Sequence, residues 1–491
     1  VALITDDGSI TYAQLAARIR RLGNGLRRLG VARGDRVAWL GPNHPAFLES
    51  LFAAGTLGAI IAPVNHRLEP DEILWVLEDT APSVLIQHRM DVADVPSSVR
   101  SRIVVDPTDD AGASFETLVA GSPDDAIEES VNHDDLCMLP HTSGTTGRPK
   151  GVMLTHGNVT WNVVNFLTCT DFRGDDVTVA IAPFFRVGGT GVNVLPVLFL
   201  GGSVVVPTET TADEILRRIE RHRVTVGFGN PDVLDAMVRS QLWPDTDLTS
   251  IRFVVTGGAP VPERLIRAFL DRGVTLLQGY GLSEAAPLAL MLDPESALEK
   301  IGSAGRPPLF VDIRVEGSVG ADVRPGETGE LLVRGPNVMA GYWRRPDATR
   351  EVLTADGWLR TGDAARIADD GYVWIVDRVR DRFTSHGHVV YPGDIERVLG
   401  DHPAVADVGM VGVPAAGADG EVGVAFVVLA AGSEATEEEL LAFCREHLAT
   451  HQVPVRVGRV AALPRNSVGK LDRAELLDEA SALLAGLPFP G

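Results

Sequence analysis

Lysine is nearly absent from this chain. Among 491 residues only Lys150, Lys300 and Lys470 carry an ammonium group, against 41 arginines. Nucleotide bias accounts for such a ratio, because surface lysines become arginine at little cost. A lysine that persists therefore marks a place where a compact point charge serves and a planar fork does not. Positive charge is short overall: 44 basic against 66 acidic residues give a net charge of −22. That balance excludes a nucleic-acid or anionic-membrane partner, which needs a basic face, but not an anionic small substrate. Cysteine is scarce too. Cys137, Cys169 and Cys444 are too far apart for a metal motif or a disulfide framework, so a cytoplasmic setting is expected. No long hydrophobic run exists: the most apolar stretch, Val192 to Val206, is broken by Pro196, Gly201 and Gly202, which excludes a transmembrane span. No G-x-S-x-G elbow is present, so a serine hydrolase of that type is set aside. The chain opens on Val1 without Met or a signal-like segment, and an N-terminal piece is expected to be missing.

What is present describes a soluble globular protein, with 22% charged and 45% hydrophobic residues and a length suited to about three domains or subdomains. Residues 9–30 predict a capped amphipathic helix. Thr11 and Gln14 form the capping box, Leu15, Ile19, Leu22, Leu26 and Leu29 the apolar stripe, and Gly30 the stop. Short β-branched runs then alternate with helical patterns (RVAWLG, GAIIAPV, SVLIQ, RIVVD), the signature of an α/β fold with mainly parallel sheets. The same grammar returns through VTVAIAP, SVVVP, VTVGFG, RFVVTGG and TLLQGYG. From about residue 309 the pattern becomes strand-rich, and the charged segment Asp377–Arg382 precedes a last unit with its own strands and a helix capped by Thr436 and Glu439. A boundary near Arg380 is expected, giving a large domain over 1–379 and a small α+β domain over 380–491. The alternative is a salt-bridged surface loop inside one domain.

The most informative stretch is LPHTSGTTGRPKGVMLTH, residues 139–156. Thr142, Ser143, Gly144, Thr145, Thr146 and Gly147 follow an apolar strand, and Lys150 stands three residues after the second glycine. Glycine lets backbone N–H groups approach a phosphate, hydroxyls add donors or reach a metal, and lysine supplies a movable charge. The spacing is not that of a Walker A loop, where lysine directly follows glycine.

With five further motifs in order, this loop resembles the adenylate-forming superfamily of acyl-CoA synthetases, non-ribosomal peptide adenylation domains and luciferases. The motifs are GGAP at 257–260, QGYGLSE at 278–284, GWLRTGD at 357–363, YVWIVDRVRD at 372–381 and PRNSVGK at 464–470. The chain looks most like the bacterial ligases of fatty or aryl acids. The resemblance implies a two-step reaction: a carboxylate attacks the α-phosphate of ATP to give acyl-AMP and pyrophosphate, then the thiol of coenzyme A displaces AMP. It implies that Thr142 to Gly147 and Lys150 hold the phosphates, with Thr145 and Glu284 at Mg²⁺. Gly258, Ala259, Pro260, Gln278, Gly279, Tyr280, Gly281 and Ser283 would receive the nucleotide, and Asp363 and Arg378 the ribose. Either of these last two could equally be half of an ordinary ion pair, and Glu284 could serve a helix N-terminus as well as a metal. Phe184, Arg186, Gly188, Val192 and Gly257 would line the acyl pocket, with Gly188, Gly189 and Gly191 leaving room for a bulky acid. Lys470 would stabilise charge at the α-phosphate when the small domain closes about a hinge at Arg380.

Four positions in three segments depart from the family pattern. Thr384 stands where a lysine is usual and Val389 where an amide is. Between them His386 and His388 are expected to point to opposite faces of an extended segment, and His386 and Gly387 to border the coenzyme A path. Arg186 replaces a common histidine; it either meets a second carboxylate on a diacid or faces solvent. His141 replaces a common tyrosine. No aspartate occurs between Phe184 and Asn193, which counts against an amino-acid substrate. The expected partners are thus a small carboxylic acid and coenzyme A, and a homodimer is left open. Two rival readings remain: a ligase that loads a carrier protein, and a non-catalytic sensor of nucleotide or acyl-AMP.

Overall fold

In this computed structural model, residues 1–90, 92, 94–106, 113–142, 148–259, 261–317, 320–414, 420–465 and 471–484 are described. The first helix runs Tyr12–Arg28. Thr11 and Gln14 make both reciprocal bonds of the capping box, Leu15, Leu22 and Leu26 are buried, and Gly30 turns the chain at φ 83°. The alternation read from the sequence yields an α/β architecture. Strand Arg36–Leu40 pairs in parallel with Ile60–Val64 on one side and Val84–His88 on the other, and Ser101–Val105 continues the parallel run. On the other flank Lys150–Thr155 pairs antiparallel with Leu136–Met138, with the short strand His141–Thr142 and with Gly341–Tyr342. A second sheet orders Val226–Gly229, Phe253–Gly257 and Thr275–Gly281 in parallel, closed by antiparallel Leu288–Met291. Parallel strands covered on both faces read as continuous apolar runs, and RFVVTG and TLLQG do so here.

The chain divides into two compact units. One holds residues 1–314, 332–360 and 370–373; the other holds 315–331, 361–369 and 374–491. This division falls earlier than Arg380, because backbone and hydroxyl bonds tie 361–369 to 315–331. The Gly326 N–H donates to Ile367 O at 2.8 Å, and the Thr361 hydroxyl donates to Leu331 O at 2.7 Å.

Within the second unit, Val405–Pro414, Glu421–Leu429 and Arg456–Arg459 form a three-stranded sheet. Helices Pro392–Gly400 and Glu437–His447, the latter capped by Thr436 and Glu439, accompany it. Arg473, at the start of helix Arg473–Leu484, is a charge hub. It donates to Glu396 Oε1 at 2.6 Å and lies 3.3 Å from Asp381 and 3.7 Å from Asp377. Burial raises the Asp377 pKa to about 6, against the pull of Arg473 and the Gly393 N–H. A carboxyl that holds its proton more tightly when folded favours the folded state at low pH. That stability is lost as pH rises from the unfolded value near 3.8 to about 6, by about 3 kcal/mol. Asp377→Asn should flatten this slope in denaturant midpoints measured from pH 4 to 7; an unchanged slope would refute the assignment.

Candidate active site

The first unit brings three sequence-distant groups into one chain of contacts. Lys150 opens its strand opposite Thr142, and the Val152↔Tyr342 register beside it sets the Lys150 Nζ 5.2 Å from the centre of the Tyr342 ring. The Tyr342 hydroxyl donates to Glu284 Oε1 at 2.7 Å. A cation over an aromatic face is attracted by the ring quadrupole, and a hydroxyl on a carboxylate is a strong, orienting bond. Lysine, phenol and carboxylate are thereby fixed in sequence beside Thr142.

Glu284 sits in the 3-10 turn Ser283–Ala285, immediately after the carboxyl end of strand Thr275–Gly281. Crevices at the carboxyl ends of parallel strands are the usual ligand sites of such sheets. Buried asparagines hold this turn. Asn337, fully buried, donates to Ala285 O and Leu288 O, each at 2.7 Å. Asn162 accepts from the Leu288 N–H at 3.1 Å and donates to Gly191 O at 2.9 Å. The Met339 N–H donates to Glu284 O at 2.8 Å. Each bond satisfies a backbone group that would otherwise be buried without a partner.

The nucleotide residues expected from the sequence gather at two neighbouring strand ends. Gly257 pairs with Gly279 and Thr256 with Gln278. Gly258 follows at φ 86° with nothing within 4 Å of where a Cβ would stand, a backbone corner open to a flat ligand. Gln278 Oε1 is buried without a hydrogen-bond partner among the described residues, an acceptor suited to an exocyclic amine. These observations fit a purine nucleotide. Tyr280 and Gly281 end the strand that leads to Glu284, whose second oxygen suits a hard cation such as Mg²⁺. Ser143–Gly147, Pro260 and Lys470 lie outside the described residues.

His141 finds a reason here. Its Nε2 lies 3.6 Å from Asp79 Oδ2, and Asp79 accepts from Arg345 Nη2 at 2.8 Å. Burial works to raise the Asp79 pKa, but the His141 and Arg345 contacts outweigh it and the net displacement is downward. This cluster fastens the short strand His141–Thr142 to the helix Pro70–Thr80.

The room expected at the glycines of this segment needs correction in part. Phe184 is fully buried and stacks on Phe47 at 5.2 Å, and Val192 is also a core residue. Gly189 and Gly191 leave no room for an acid. A Cβ on Gly189 would stand 2.0 Å from Pro183 O, and one on Gly191 would stand 3.0 Å from Pro287 Cδ. Their hydrogens serve close packing of the turn at Val187–Gly191. Gly188 differs: a Cβ there would meet only the Phe228 ring at 3.6 Å and Val192 at 3.9 Å. Arg186, just before this turn, reaches solvent.

Three sequence-derived groups lie in the second unit. Arg378 Nε and Asp363 Oδ1 are 3.0 Å apart, so these two residues pair with each other. Arg380 is exposed, with its Nε 3.3 Å from Asp381 Oδ1. His386 and His388 do not alternate along an extended segment. Ser385 pairs with His388, and His386 and Gly387 form the two-residue turn with φ of 50° and 73°, as a type I′ hairpin requires. His388 stacks on His451 at 4.4 Å.

Sequence reasoning missed Tyr342, Asn337, Asp79 and Arg345. Scarcity could have found the first, since Tyr342 is one of only five tyrosines. One other cluster, His44, His88 and Asp106, stands at adjacent strand ends, with His44 Nε2 3.4 Å from Asp106. Here His44 Nδ1 accepts the Ala46 N–H at 3.1 Å. The proton of the neutral ring therefore sits on Nε2, and this tautomer cannot ligate a metal.

Comparison with known proteins identifies the family. Residues 1–343 match the family model "AMP-binding enzyme", and residues 394–470 match "AMP-binding enzyme C-terminal domain". A feruloyl-CoA synthase of Amycolatopsis sp is 44% identical over 95% of this chain and 93% of its own length. An indoleacetate–CoA ligase of Aromatoleum aromaticum is 37% identical over 98% and 94%. Among solved structures, o-succinylbenzoate CoA synthetase of Bacillus subtilis with ATP and magnesium aligns with TM-score 0.84 and 30% identity, covering 98% of this chain and 96% of that one.

If the phenol orients Glu284, Tyr342→Phe should lower acid-dependent ATP–pyrophosphate exchange about tenfold or more without altering the circular-dichroism spectrum. Full exchange in this variant would show that the hydroxyl is dispensable.

Proposed function

The chain belongs to the AMP-binding enzyme family, and we infer that it is an AMP-forming carboxylic acid–CoA ligase. It joins an acid to AMP with release of pyrophosphate and then passes the acyl group to coenzyme A. The observation that carries this reading is the Lys150–Tyr342–Glu284 chain, which sets a cation and a carboxylate on either side of one rigid ring. In the first step the reacting acid's carboxylate oxygen bonds to the α-phosphorus while the bond to pyrophosphate breaks. Lys150 and residues 143–147 would hold the departing phosphates, and Glu284 and Thr145 would hold Mg²⁺. When bound, that ion neutralises phosphate charge. Lys470 supplies the cation at the α-phosphate, and Asp363 with Arg378 receives the ribose. Movement about Arg380 withdraws Lys470, and His386 and Gly387 then border the path of coenzyme A.

The acid is of fatty or aryl type. The aryl end of that range is favoured by the named substrates of the feruloyl and indoleacetate relatives. Mg²⁺, ATP and coenzyme A are its small-molecule requirements. Cys137, Cys169 and Cys444 are free thiols, which suits a reducing cytoplasm. No helix among the described residues is long and apolar enough to cross a membrane.

Acid-dependent ATP–pyrophosphate exchange, followed by mass spectrometry of the product with coenzyme A, tests this reading. An acyl-CoA product is expected; no exchange with any acid of a broad fatty and aryl panel would defeat it. Lys470→Ala should lose exchange by about 100-fold or more while still converting supplied acyl-AMP to acyl-CoA. Equal loss in both steps would contradict its assignment to the first. Glu284→Gln should raise the Mg²⁺ concentration needed for half-maximal exchange.

A further inference from the structure

In sequence, residues 143–147 stand between His141–Thr142 on one side and Arg148 on the other. Residues on both sides reach the same helix. The Arg148 guanidinium stands 5.6 Å from the centre of the Trp75 ring, and His141 Nε2 lies 3.6 Å from Asp79 Oδ2. Trp75 and Asp79 are four residues apart on helix Pro70–Thr80, one turn along a single face.

Asp79 is the more heavily used of the two. Its carboxylate also accepts from Arg345 Nη2 at 2.8 Å, and its carbonyl accepts from Trp343 Nε1 at 3.0 Å and Arg344 Nη1 at 3.1 Å. Those three residues directly follow Tyr342, and the Trp343 N–H donates to Gly151 O at 2.8 Å. Gly151, next to Lys150, permits this approach: a Cβ there would stand 3.2 Å from both His141 Nε2 and Trp343 Cβ. One helix end therefore gathers the strand of Thr142, the strand of Lys150 and the segment that carries Tyr342.

Stability of the helix does not call for an acid here. Asp79 is its last residue but one, where the macrodipole is negative and disfavours a carboxylate. Its side chain is only 8% exposed, so it has also lost most of its hydration. A carboxylate kept at such a place serves the groups that it holds.

We propose that Asp79 and Trp75 are positioning residues for the triphosphate of ATP. They set Thr142, Arg148 and Lys150 in the free enzyme, so that binding does not have to order them. This deepens the ligase reading and rests on it for the role of those groups.

Calorimetric titration of the whole chain with Mg²⁺·ATP and with AMP separates positioning from general damage, because AMP lacks the β- and γ-phosphates. Asp79→Asn, Trp75→Leu, the ring-keeping Trp75→Phe and Arg148→Gln are compared with the wild-type chain. Loss of a charged contact corresponds to about tenfold in Kd, and loss of an exposed cation–π contact to about threefold. Asp79→Asn should weaken Mg²⁺·ATP about tenfold and Trp75→Leu about threefold, with AMP affinity unchanged and Trp75→Phe restoring part of the loss. Trp75→Leu combined with Arg148→Gln should lose no more than Arg148→Gln alone. Should Asp79→Asn fail to fold, Arg148→Gln, at an exposed position, carries the same comparison. Unchanged Mg²⁺·ATP affinity overturns the proposal, as does equal weakening of ATP and AMP or a double variant whose losses multiply. Acid-dependent pyrophosphate exchange in the wild-type chain tests the ligase reading separately: its absence with every acid defeats that reading, whereas the ATP and AMP affinities alone decide the positioning role.

Discussion

The phenol of Tyr342 is the pivot of the candidate site. Its ring faces the Lys150 ammonium and its hydroxyl holds Glu284, so one rigid side chain fixes two oppositely charged groups that would otherwise collapse onto each other. A direct lysine–glutamate ion pair would cancel both charges and leave neither for a ligand. An aromatic spacer attracts the cation weakly through its face and binds the anion through its edge substituent, keeping both available. The register Val152↔Tyr342 and Met153↔Gly341 places that spacer, and it depends on a two-residue strand that no local pattern would predict.

Around this pivot the protein invests buried polar groups in backbone geometry. Asn337, Asn162 and Asn158 are each buried, and each binds main-chain groups of other segments. Amides can satisfy two backbone groups at once without carrying charge into the interior. They tie the Glu284 turn to the Gly188-bearing turn on one side and to the segment before Tyr342 on the other. In the second unit the same task falls to charge. Arg473 gathers Asp377, Asp381 and Glu396, fixing the helix Arg473–Leu484 to the segment around Arg380.

What the sequence made legible was local. The Thr11–Gln14 and Thr436–Glu439 boxes, the helix stripe and the α/β alternation need only neighbours a few residues apart, and the structure reproduces them. Motif order singled out Lys150, Glu284 and Gly258 as candidates, because those positions carry specific residue types. Contacts between distant segments were not legible. Tyr342 meets Glu284 across 58 residues and Arg345 meets Asp79 across 266, and periodicity carries no information at that range. Glycine was misread for a related reason: a missing Cβ can make room for a ligand or for protein. At Gly189 and Gly191 the protein fills the space. The His386–Gly387 turn was hidden because a histidine at positive φ breaks the expected alternation.

The account stands on Tyr342 acting through Glu284 and not beside it. A double-mutant cycle of Tyr342→Phe and Glu284→Gln, read in acid-dependent pyrophosphate exchange at saturating Mg²⁺, measures that coupling directly. The prediction is non-additivity, with the double variant falling about as far as Glu284→Gln alone. Losses that simply multiply would show two independent residues and contradict the account.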